Sequence, residues 1–179
     1  MTILLLTSLV LRMPSLYLVK FEQIPYVDLA AHWAIFLPYV NSPFTANGIP
    51  ILGDLFHASK EWGECGHYYN GNETRWERQT YFNLPSCPSV LDVLRLHNTD
   101  YVSDTMVFGA CDHVSQRRRF NIVSKNCQHW VLEVLGRLIE ENYISKDIYT
   151  QMKLHGFKTG TEAVVASSVR SFRFWNWGS

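Results

Sequence analysis

Apolar positions in the first half of the chain fall into short runs that predict strands. Leu16–Phe21 (LYLVKF) is aliphatic and aromatic throughout, apart from one lysine. His32–Val40 (HWAIFLPYV) is the clearest strand, and the turn-forming Asn41-Ser42-Pro43 stops it. Its period of two sets His32, Ala34 and Phe36 on one face and Trp33, Ile35 and Leu37 on the other. Asn47-Gly48 marks another turn, after which Ile49–Ala58 predicts the next strand. Gly63–Asn72 reads as loop from its glycine and asparagine content. Thr74–Asn83 (TRWERQTYFN) alternates as a further strand should.

The second half reads as helical. Ser89–His97 (SVLDVLRLH) opens on a capping residue and places Val90, Val93 and Leu94 on one helical face, which predicts a helix. Residues 101–113 predict a second. The strongest pattern runs from Asn126 to about Glu141. Counted from Cys127, apolar residues fall at Trp130, Val131, Val134, Leu135, Leu138 and Ile139, the stripe of a core-facing helix. Gln128, His129, Glu133, Arg137 and Glu140 fall off that stripe. Ser145 starts a shorter helix, and the tail ends in the aromatic run Phe172-Arg173-Phe174-Trp175-Asn176-Trp177, expected to form a last strand or to pack over a groove. The expected fold is α+β: an antiparallel sheet of four to six strands with the Cys127 helix packed across it. Residues 1–12 form an apolar extension, 13–155 the working domain and 156–179 an aromatic tail.

Composition narrows the partners. With 47% hydrophobic and 18% charged residues over 179 positions, the chain can bury one sizeable core. Sixteen basic residues balance sixteen acidic ones, so no global field recruits nucleic acid or an anionic membrane. Arg117-Arg118-Arg119 reads as a solvated loop flank. The apolar run at residues 2–11 is too short to span a bilayer, so no integral membrane span is expected; it suits a buried first element or a signal-peptide core. Cys65, Cys87, Cys111 and Cys127 contain no C-x-x-C pair, which points to a reducing, cytoplasmic setting, with secretion the alternative if residues 1–12 belong to a signal peptide. Three C-x-H pairs occur, but one intervening residue is poor spacing for a shared zinc, so neither metal nor cofactor is expected.

The candidate chemistry centres on Cys127. At the start of a helix, unpaired N–H groups and the helix dipole favour a thiolate and can hold a developing oxyanion. His129 is the neighbouring imidazole, but two residues along a helix turn the side chains about 200° apart. His32 is the better base, if the helix packs on the face that Ala34 keeps open. His57 closes the adjacent strand and is suited to orient His32.

His32 in HWAIFLP, His57 in LFHA and Asn126-Cys127-Gln128-His129-Trp130 opening a helix together resemble the permuted NlpC/P60 branch of papain-like folds, near the lecithin:retinol acyltransferase-like proteins and the PPPDE peptidases. Small fungal proteins of unassigned function are also similar around these pieces. The resemblance covers roughly residues 15–142. It implies Cys127 as nucleophile, His32 as base and His57 as polar orienter, with an acyl-enzyme formed from a small-molecule ester, thioester or amide and resolved by water or an amine. Asn126, Gln128, Trp33 and Trp130 are then the expected substrate or oxyanion contacts. The 25 positions from His32 to His57 predict an inserted loop at Asn41–Gly48. The alternative is an inactive papain-like module that binds a ligand or partner in an aromatic groove.

Overall fold

The computed structural model describes residues 15–22, 31–59, 75–97, 99, 101–116 and 127–157. Among them are five strands, β1 (Tyr17–Phe21), β2 (His32–Pro38), β3 (Leu52–Ser59), β4 (Arg75–Asn83) and β5 (Val90–Arg95), and three α-helices, α1 (Asp104–Ser115), α2 (Cys127–Glu140) and α3 (Asp147–Leu154). The strands form one antiparallel sheet in the order β4-β3-β2-β1-β5. The architecture is α+β, as the sequence predicts.

β2 lies second from neither edge but in the middle, and its residues from Trp33 to Pro38 are all buried. A strand covered on both faces reads as a continuous apolar run, and each fully buried large side chain contributes about 1.5–3 kcal/mol. The alternation along β2 divides the core. Trp33, Ile35 and Leu37 join Phe56, Ala58, Leu18 and Leu94 beneath the helices, together with Trp130, Val131, Val134, Leu135 and Leu138 of α2. Ala34 and Phe36 face the other way and join Tyr17, Val19, Phe21, Leu55 and Leu84. There Phe21 of β1 and Phe82 of β4 approach to 6.3 Å although two strands lie between them, so the sheet curls around this second cluster.

Ser89–His97 does not form the expected helix. Val90–Arg95 is an edge strand in register with β1, Val93 opposite Val19 and Leu94 opposite Leu18. Its apolar spacing satisfies a helix and a short strand alike; two β-branched valines and the open edge of β1 decide for the strand. The other elements agree within a few residues. Ser103 caps α1 by accepting from the Met106 N–H. The segment between β2 and β3 is closed by Ser42, whose Oγ accepts from the N–H groups of Ile51 and Leu52 at 3.1 and 2.8 Å. Gly48 sits in that segment at φ +74°, where a side chain would be strained.

A buried carboxylate fixes the β3–β4 edge. Asp54 is only 2% exposed, yet it points to the helix side beside Leu37. It accepts from Arg78 Nε at 3.0 Å, from Arg78 Nη2, and from the Tyr39 hydroxyl at 2.7 Å. Arg78 also lies over the Phe56 ring and 3.6 Å from Asp104 at the start of α1. Tyr39 in turn accepts from the N–H of Tyr81, a residue held at φ +54°. One arginine thus joins two strands and a helix terminus.

Two stability measurements check this account. Replacing Arg78 with methionine leaves Asp54 buried without its cation, and chemical denaturation should show a loss of about 3 kcal/mol; the additional change Asp54→Asn should recover part of it. Gly53→Ala puts a Cβ against the Leu37 carbonyl and 2.7 Å from Phe36 Cζ and Pro38 Cα. It should cost about 1–3 kcal/mol in the same assay, since backbone atoms cannot move aside cheaply.

Candidate active site

The sheet's alternation decides where each candidate side chain stands. α2 packs on the Trp33–Ile35–Leu37 face, not on the His32–Ala34–Phe36 face as expected. The bulk of three large apolar side chains there matches the α2 stripe, whereas Ala34 and Phe36 are already covered by β1 and the segment around Leu84. The room beside Ala34 is therefore on the side away from the helices.

The start of α2 is nonetheless tied to the start of β2. Gln128, expected off the buried stripe, is 1% exposed. Its side-chain Nε2 donates to the Ala31 carbonyl at 2.7 Å, and Ala31 immediately precedes His32. A buried amide must be satisfied, so this bond fixes the helix start against the strand start. The Gln128 side chain, expected at the substrate, makes this junction bond. Cys127, the first residue of α2, is half-buried and packs against the main core cluster.

His32 and His57 come together on the curled face. Their ring centroids are 5.3 Å apart at 88°, edge to face, and Phe21 closes on His32 at 5.9 Å. Burial, and then repulsion from His57, bring the His32 pKa down from 6.5 to about 4. It is a neutral imidazole at physiological pH. Burial also lowers the pKa of His57, opposed by the carboxylate of Glu77 and by a hydrogen bond with the Ala58 backbone. His57 Nε2 is buried without a hydrogen-bond partner. Glu77 Oε2 stands 3.9 Å from it, an ion-pair distance if His57 is protonated and too long for a hydrogen bond.

His129 diverges from Cys127, as helix geometry requires. It lines an open groove of about 570 Å³ with His113, Glu133, Arg137, Glu140 and Tyr149, away from the sheet. Trp33 and Trp130, expected to contact substrate, are 1% and 0% exposed and belong to the core between sheet and helix. Trp130 Nε1 donates to Ser115 Oγ at 2.9 Å, and Trp33 packs on Phe157 at 5.5 Å. Their size suits them to fill that layer. Asn126, residues 1–12, Cys65, the arginine cluster and the tail from residue 158 lie outside the described residues.

The other described cysteines have different surroundings. Cys111 is fully buried, and burial followed by the nearby Asp112 push its thiol far above the ordinary range. Cys87 is half-buried, its sulfur 3.2 Å from Ser89 Oγ. Among the described residues no three His, Cys, Asp or Glu side chains gather in a way that could hold a metal ion. No described helix is long and apolar enough to cross a membrane.

Sequence reasoning missed Asp54, Arg78 and Glu77. Asp54 gave a signal, since a carboxylate inside the run LGDLFHA demands a partner. Glu77 gave none, because only the β3–β4 register sets it opposite His57. Comparison with models of known protein families, with curated proteins and with solved structures found no match.

The depressed pKa of His32 has a consequence for stability. The unfolded chain takes up this proton near pH 6.5 and the folded chain only near pH 4. The stabilising contribution is therefore complete above pH 6.5 and is lost as pH falls toward and through 4. Denaturation midpoints measured across that window should fall more steeply for the native protein than for His32→Gln.

Proposed function

We propose that this protein performs cysteine-dependent acyl chemistry, as a hydrolase or an acyl or amide transferase of the papain-like, permuted NlpC/P60 type, with Cys127 as nucleophile, His32 as base and His57 as its orienter. The observation that carries this reading is the junction of α2 with β2: the turn bearing Cys127 is bonded through Gln128 to Ala31, the residue before a neutral, desolvated His32. His57 stands edge-on to that imidazole and supports its orientation.

In the proposed reaction His32 accepts the Cys127 proton as the sulfur attacks the carbonyl carbon of an ester, thioester or amide. The carbonyl π electrons move to oxygen, and the N–H groups of the first turn of α2 are suited to hold the resulting anion. When the carbonyl re-forms, the bond to the leaving group breaks, and His32 returns its proton to that group. Water or an amine, deprotonated by His32, then attacks the thioester carbon; as the carbonyl re-forms the C–S bond breaks, and His32 returns the proton to the Cys127 sulfur. Every step needs only a neutral imidazole at rest, which agrees with a pKa of about 4.

Alkylation by iodoacetamide, with the modified residue located by mass spectrometry, tests the assignment. Cys127 should react fastest among the cysteines near neutral pH, and His32→Ala should slow that reaction about a hundredfold or more. His129→Ala should leave it unchanged. The reverse order would sink the assignment of the base. A slow Cys127, indifferent to both histidines, would favour the inactive binding module.

A further inference from the structure

The buried Nε2 of His57 demands explanation, because an unpaired polar atom in a low-dielectric site is costly. β3 and β4 pair His57 directly with Glu77, with Phe56 opposite Arg78 on one side and Ala58 opposite Trp76 on the other. In an antiparallel pair such residues share a face, so Glu77 projects to the same side as His57. Its carboxylate is the acidic group that reaches this nitrogen, at 3.9 Å. Glu77 is itself more than half exposed, at 56%.

We propose that Glu77 is a positioning residue of this site, whose carboxylate anchors the Nε2 edge of His57 and thereby fixes the ring against which His32 stands. The inference rests on the acyl-transfer reading for what the anchor accomplishes, but not for the anchor itself.

Among the described residues, few other charged groups compete for this place. β2 contributes His32 to the same face. β1 contributes Phe21, which does not titrate. Arg78 on β4 turns to the opposite face and is committed to Asp54. α2 meets β3 on that opposite face too, at Phe56 and Ala58. Among the described residues, His57 thus has His32 on one side of it and Glu77 on the other. When His32 takes up the Cys127 proton it becomes a cation 5.3 Å from the His57 ring. A second positive charge on His57 would oppose that step. Glu77, at ion-pair distance from Nε2, offsets such a charge.

The experiment follows the histidine ring resonances by NMR in the full chain, native and as Glu77→Gln and Glu77→Asp, alongside the pH profile of Cys127 alkylation by iodoacetamide. The expected result is that Glu77→Gln lowers the His57 titration midpoint by about half a pH unit or more and slows Cys127 alkylation at neutral pH. Glu77→Asp should restore part of both. An unchanged His57 midpoint in Glu77→Gln overturns the anchor. A shifted midpoint with an unchanged alkylation profile overturns its role at the site. If Cys127 alkylation instead proves independent of His32, the acyl-transfer reading fails, while the His57 midpoint still decides whether Glu77 holds the ring.

Discussion

The burial of β2 on both faces is the constraint from which the rest of the structure follows. Trp33, Ile35 and Leu37 require a helical layer on one side; Ala34 and Phe36 require the sheet to curl on the other. A strand's alternation is rigid, so a slip of one residue would exchange the two sets and expose apolar surface to the wrong layer. His32 shares the parity of Ala34, and therefore stands on the curled side, opposite the body of α2. A side chain on α2 can approach His32 only at the end of the strand, where the sheet stops separating the two layers. That is where Gln128 bonds to Ala31. The hydrogen bond and the hydrophobic division are thus two parts of one arrangement: the stripe sets the helix on its face, and the glutamine sets how far along the strand the helix begins.

The pairing of β3 with β4 adds a contrast in how charge is handled. On the helix side Asp54 is buried and stays satisfied through Arg78 and Tyr39. Such a bonded carboxylate is expensive to break, because removing one partner leaves the other charge stranded. On the curled side, one register step beyond the Phe56–Arg78 pair, His57 faces Glu77 without a hydrogen bond. The first pair fixes the edge strand on its neighbour and on α1. The second leaves an imidazole whose pKa burial lowers and a carboxylate opposes. A rigid pair beside an adjustable one is an arrangement suited to holding a titrating group in place.

Much of this was legible in the residues. The run HWAIFLP announced a strand with a stop at Asn41-Ser42-Pro43, and the strand ends at Pro38, two residues short of the predicted Val40. The long stripe of α2 announced a helix over fourteen residues. β5 was not legible: Val90, Val93 and Leu94 satisfy either period over so short a span, and the unpaired edge of β1 that decides the matter is a tertiary fact. Nor could periodicity say which face of β2 the helix meets, since both faces are apolar. The side-chain size on each face was the available clue: two aliphatic residues and a tryptophan offer more to a helix than an alanine, a histidine and a phenylalanine. Gln128 was misplaced for a related reason. A stripe analysis ranks residues by hydrophobicity, and a buried glutamine at a helix start is there for its hydrogen bond.

The electrostatics of His32 shape how the proposed reaction would run. An imidazole with a pKa of about 4 is neutral at rest, so the proposed reaction would start from the neutral ring. Proton transfer would then accompany bond formation to carbon, and the imidazolium would exist only while the tetrahedral intermediate does. The same low pKa makes that imidazolium a strong acid, ready to protonate a leaving alkoxide or amine. Its formation in a desolvated place is the costly moment, and whatever lowers that cost acts on the transition state rather than on the resting protein. Two features bear on it: the edge-to-face contact with His57, which orients the ring, and the charge that Glu77 holds one strand away. On the proposed reading the histidine pair and its carboxylate would serve the reaction, whereas Asp54 and Arg78 hold the fold.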